Sequence, residues 1–129
     1  MRLPAVLILV AGLSGPGFAC GTGGSQMIAK EPTDLQIFAT LEPITVSKPF
    51  GLDLILCGDA TDLTVEADAW MPRHKHGMNY APVVHAEGDG KFNVSNLVFH
   101  MPGLWQVRVE VRNVDDAKPN TFLLDVEVK

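Results

Sequence analysis

Three histidines and two methionines, held in two short segments, are the residues of this chain best suited to chemistry. The stretch 68–80, DAWMPRHKHGMNY, contains His74, His76 and Met78; the stretch 99–103, FHMPG, contains His100 and Met101. In extended backbone, residues two apart face the same way. His74 and His76 are therefore expected to project together, about 6.5–7 Å apart at the usual strand rise. Arg73 and Lys75 then face away, which keeps two positive charges off a site meant for a cation. Met78 continues the alternation beyond Gly77. Two imidazoles and a thioether suit copper, because imidazole serves both oxidation states and soft sulfur favours Cu(I). Zinc fits less well, since it gains little from methionine and no acidic residue lies within the motif. His100 and Met101 complete the set only if the second segment meets the first.

The bland reading stands beside this one. An isolated histidine is ordinarily a surface or satisfied core residue, and methionine is a common gap filler. His85, alone in a strand, is read that way. Asp68 either orients a histidine from behind or is a solvated strand carboxylate. Trp105 falls on the apolar face of its strand and belongs in the core, whereas Trp70 falls on the polar face of its own.

The elements that must position these residues read as short strands. Leu63, Val65, Ala67 and Ala69 alternate with polar residues over 62–70, and Trp105, Val107, Val109 and Val111 do so over 104–112. This is the period of a half-buried strand. Further strands are expected at 35–41, 50–57, 91–99 and 121–129, with a short piece at 44–47. A late-starting or edge strand is expected at 80–86, because Pro82 cannot donate to a ladder. Glu87-Gly-Asp-Gly90 is a tight hairpin turn, and a bend is expected at Ser95-Asn96. Helical periodicity is absent after the N-terminal segment. About seven or eight short strands at roughly ten-residue spacing point to an all-β, immunoglobulin-like antiparallel sandwich, with an eight-stranded barrel as the alternative.

Length and composition bound the rest. The 129 residues are the size of one domain with a genuine core. The formal charge of −5 is spread along the chain without a Lys/Arg run, so no nucleic-acid partner is expected. Residues 1–19 carry one arginine, a short apolar run, and Gly17 and Ala19 ahead of Cys20. This is a secretory-signal pattern, too short to span a bilayer comfortably. The expected organisation is a signal peptide at 1–19, a flexible lead-in at 20–33 and a sandwich at 34–129. The mature chain is expected to lack a transmembrane span and to be periplasmic or secreted. Cys20 is either lipid-modified, anchoring the chain, or paired with Cys57; an even cysteine count in an exported chain favours pairing. No hydrolase elbow, zincin, phosphate-loop or dinucleotide motif supports an enzyme.

The segments ADAWMPRHKHGM (67–78), GKF (90–92) and FHMPGLWQV (99–107) resemble the YtkA-like domains of the bacterial envelope. Related FixH-like proteins share the small immunoglobulin-like β domain and the M-P-G-x-W strand entry. The resemblance spans roughly 35–128 and implies a sandwich in an exported or membrane-associated protein, with no enzyme activity. FixH-like members are tied to assembly of copper-containing oxidases but carry a transmembrane anchor not found here. The ligand set is also similar to that of periplasmic copper chaperones of the PCuAC type, which use separated His/Met pairs, although the motif order differs. The expected function is copper binding, as a carrier, store or donor to an envelope cuproenzyme. The alternative is a metal-free interaction or structural module of the cell envelope.

Overall fold

The structure is a computed structural model in which residues 20–21 and 23–129 are described. The signal-peptide segment 1–19 lies outside the described residues. Ten strands make up the described chain: β1 (Ser25–Gln26), β2 (Ile28–Ala29), β3 (Gln36–Leu41), β4 (Pro49–Cys57), β5 (Leu63–Met71), β6 (His76–Gly77), β7 (Val83–Gly88), β8 (Lys91–Val98), β9 (Gly103–Asn113) and β10 (Asn120–Val128). They form two antiparallel sheets, ordered β1-β3-β4-β8-β7 and β2-β10-β9-β5-β6. The seven longer strands give the order β3-β4-β8-β7 over β10-β9-β5, which is the arrangement of a constant-type immunoglobulin sandwich.

Alternation builds the core. Trp105, Val107, Val109 and Val111 on β9 are all fully buried and face Leu52, Leu54 and Val94 of the other sheet within one cluster. Their neighbours Arg108 and Arg112 are exposed. No polar or charged residue among the described residues is fully buried. Between β7 and β8, Asp89 and Gly90 both take positive φ, 53° and 73°. That is the two-residue turn whose twist matches a hairpin. A Cβ on Gly90 would lie 2.7 Å from the Leu56 carbonyl oxygen, and the Gly90 carbonyl accepts from the Leu56 N–H at 2.8 Å. As expected, β7 begins after Pro82 and forms a sheet edge, and β8 bends at Asn96, which has φ 62°.

Two sequence expectations are corrected. The lead-in expected to be flexible is partly built into the sandwich: β1 pairs with β3, β2 pairs with β10, and Met27 between them is buried. A single apolar side chain pointing inward is enough to seat so short a segment. The piece at 44–47 is not a strand. Ile44 and Val46 pack on the core, while Ser47 takes φ 66° and its N–H donates to the Phe99 carbonyl at 2.8 Å. The inward residues there reflect a loop crossing the open end of the sandwich.

Cys20 is disulfide-bonded to Cys57, at a Cα separation of 5.9 Å, and no cysteine is free. The bridge ties the start of the described chain to the end of β4. It spans 37 residues of sequence, and closing such a loop lowers unfolded-chain entropy by an amount worth about 4 kcal/mol. A Cys20→Ser/Cys57→Ser variant is expected to lose roughly 2–4 kcal/mol of unfolding free energy in urea, with its antiparallel sheet spectrum retained.

Candidate functional site

Strand parity decides which connections meet. The seven longer strands of this sandwich alternate in direction along the chain, so their connections alternate between its two ends. The links 42–48, 72–82 and 99–102 share one end; 58–62, 89–90 and 114–119 share the other. Both histidine segments lie in links of the first group.

The first segment is a tight reversal. Met71 pairs with His76, leaving residues 72–75 as the turn. The His74 and Lys75 N–H groups donate to the Met71 carbonyl, at 3.2 and 2.8 Å, and Lys75 takes φ 54°. The extended alternation expected across 73–78 therefore holds only from His76 onward. His74 stands on an exposed turn between Arg73 and Lys75, also exposed, whose charges solvent and salt screen. His76 lies directly across from Met71, which is buried, so its side chain belongs to the inner face and is half-buried. Met78, two residues on, packs against the core.

The second segment is a corner held by Trp105. Its indole is fully buried and stacked on Phe99, with ring centroids 4.5 Å apart and planes within 6°. Phe99 in turn meets Phe50 edge-on at 4.8 Å. The indole N–H donates to the Met101 carbonyl at 3.0 Å, satisfying a donor that burial would otherwise penalise. This reproduces with tryptophan the corner that tyrosine makes in immunoglobulin domains. Gly103 enters β9 at φ 127°, and a Cβ there would lie 2.9 Å from the Met71 methyl. The end of β5 thus closes directly over the corner.

These two constructions bring the three imidazoles together. The His74 and His76 ring centroids are 5.7 Å apart, and those of His76 and His100 5.1 Å. The Trp105 ring lies 5.3 Å from His100 and 6.1 Å from His76, both edge-on. His100 Nδ1 is shielded from solvent and has no hydrogen-bond partner in the protein. His76 Nδ1 has only the Gly77 carbonyl at 3.3 Å. Met101 is half-buried against the core, as is Met78, and its carbonyl rather than its sulfur has a defined partner. Among the described residues, no group of three or more His, Cys, Asp or Glu side chains already converges as a metal site.

The remaining residues singled out from sequence lie elsewhere. His85 is exposed on β7. Asp68 accepts from the Ala69 N–H at 2.8 Å and contacts no imidazole through that bond. Trp70 is on the outer face, its indole N–H donating to Gln106 Oε1 at 3.0 Å. Sequence reasoning placed Trp105 in the core but did not assign it the corner; its position four residues after Met101 was the available signal.

A Trp105→Phe substitution retains an aromatic ring but strands the Met101 carbonyl. The expected loss is about 1–3 kcal/mol of unfolding free energy, with amide shifts concentrated at 99–105 in an NMR spectrum. An unchanged stability would mean that the corner does not depend on this bond.

No curated protein and no solved structure matches the chain. Residues 59–110, which run from the approach to β5 into β9 and carry all three clustered histidines together with Trp105, match the family model described as YtkA-like.

Proposed function

We propose that this is an exported copper-binding protein, acting as a carrier or donor to an envelope cuproenzyme, with His74, His76 and His100 as imidazole ligands. The supporting observation is the clustering of three histidines from two separate links above Trp105, one of them with a shielded, unpartnered Nδ1. With metal–nitrogen bonds of about 2.0–2.1 Å, two imidazoles on one tetrahedral ion have centroids roughly 5 Å apart. His76 and His100 already stand at that spacing. His74 is on the exposed turn, where its side chain is free to rotate inward.

The donor chemistry favours copper over harder cations, since no carboxylate belongs to the cluster. Met78 and Met101 are thioether candidates for Cu(I), both next to a histidine segment and half-buried. Bound copper would supply only its own ligand exchange and redox chemistry. The protein's residues present nitrogen and sulfur donors, and the Trp105–Phe99 stack backs the site on its inner side. The reading assigns no catalytic residue. Export rests on the N-terminal sequence pattern alone.

The test is titration of purified apo-protein with Cu(I) and with Cu(II) against a competing chelator, following Trp105 fluorescence in a Trp70→Phe background. His76→Ala and His100→Ala are each expected to weaken binding by about 100-fold or more, equivalent to roughly 2.7 kcal/mol. Met78→Leu with Met101→Leu is expected to weaken Cu(I) while leaving Cu(II) binding nearly unchanged. Equally weak binding by wild type and the histidine variants would sink the reading and leave the metal-free interaction module in its place.

A further inference from the structure

A groove of about 670 Å³ runs beside β5, and it is walled by the open edge of that strand. On one side β5 pairs with β9 from Leu63 to Trp70; on the other, β6 covers only Trp70 and Met71. In an antiparallel strand, one residue's N–H and C=O point to the same side, and successive residues alternate. The Ala69 N–H is taken by the Asp68 carboxylate, and the Met71 carbonyl by the turn amides. The odd-numbered residues therefore face away from β9. Val65 and Ala67 present their backbone donors and acceptors to the groove.

The charges around that edge are unbalanced. Glu66 on β5 lies directly opposite Glu110 on β9, and both line the groove. Like charges in directly opposite positions are unfavourable in a sheet. Arg108 stands directly opposite Asp68 and lies 4.0 Å from Glu110, so one guanidinium faces three carboxylates in the lining. The far wall, from the link between β6 and β7, carries no charge: it presents Met78, Pro82 and Tyr80, the last 58% exposed, together with Asn79. Asn96 fixes this wall by donating to the Ala81 carbonyl at 2.9 Å.

We propose that this groove binds an extended, lysine- or arginine-bearing segment of a partner polypeptide. The segment adds as a strand to the edge of β5, sets a cation between Glu66 and Glu110, and packs its apolar residues on Tyr80 and Met78. Main-chain bonds along a sheet edge give such a contact its affinity, and side-chain pockets give it specificity. A second copy of this chain is the poorer occupant, because pairing β5 with itself would bring more carboxylates to the same place. The proposal stands apart from copper binding, although Met78 belongs to both surfaces.

The test uses the isotope-labelled, metal-free protein and two short synthetic peptides, one alternating lysine with valine and one alternating glutamate with valine. The lysine peptide is expected to shift amide resonances across 63–69 and 78–84 and to slow hydrogen exchange at Val65 and Ala67. A Glu66→Gln/Glu110→Gln variant, which removes repulsion and so retains the fold, is expected to bind it at least about tenfold more weakly. Asp115→Asn, in the distant link before β10, is expected to bind as wild type does. Absence of shifts with the lysine peptide, equal binding of the glutamate peptide, or an unaltered affinity in the double variant would each overturn the proposal. Shifts at 63–69 that appear on raising protein concentration without peptide would assign the edge to a second copy and overturn it equally.

Discussion

The histidine end of this sandwich depends on one buried indole. Trp105 is the largest fully buried side chain of the described residues, and its N–H is a polar group inside an apolar core. Such a donor needs an acceptor close at hand. The Met101 carbonyl supplies it, and that single bond folds 101–105 into a corner. Phe99, the first residue after β8, stacks on the same ring, so His100 follows a side chain that has little freedom. The neighbouring link has its own anchor: Met71 is buried, and His76 is placed by pairing with it. His100 Nδ1 has no polar partner and His76 Nδ1 has only the Gly77 carbonyl at 3.3 Å, so packing rather than polar contact sets both rings.

Strand parity then does what no local signal can. The 72–82 and 99–102 links are separated in sequence by two strands, yet an antiparallel path returns them to the same end. The 42–48 link arrives there too, and the Ser47 amide binds the Phe99 carbonyl. Rigid, alternating strands thus carry the apolar core, while the chemistry lies in the connections that the strands bring together.

How much of this was legible in the sequence varied with the physical cause. The longer strands were visible because one-sided burial imprints a period of two; β5 and β9 follow their expected spans to within a residue or two at each end. The Asp-Gly turn was visible because left-handed backbone favours those residues. The short strands β1 and β2 were not, since two residues cannot display a period and Met27 alone marks the inward face. A loop after Pro72 was legible, because proline ends the ladder of β5, but its tight reversal at 72–75 was not. Its left-handed residue is Lys75, a type without that preference, whereas nearby Gly77 is in ordinary strand conformation. The same three histidines meet, but by a reversal that places His74 at an exposed tip and not by an extended ribbon. The groove beside β5 could not be anticipated, because no sequence pattern reveals that β6 covers only the last two residues of that strand.

The disulfide gains a different meaning from its place in the fold. Cys57 ends β4 at the end of the sandwich away from the histidines, and β4 is nine residues long. At the usual rise this puts the sulfurs roughly 25–30 Å from the imidazole cluster. A thiol reductant would open this bridge, and the freed thiols would then be the softest ligands on the molecule. A chain handled that way acquires a metal-attracting point at the pole opposite the histidines. Any metal uptake by such a sample would then report its redox history as well as the chemistry of its histidines.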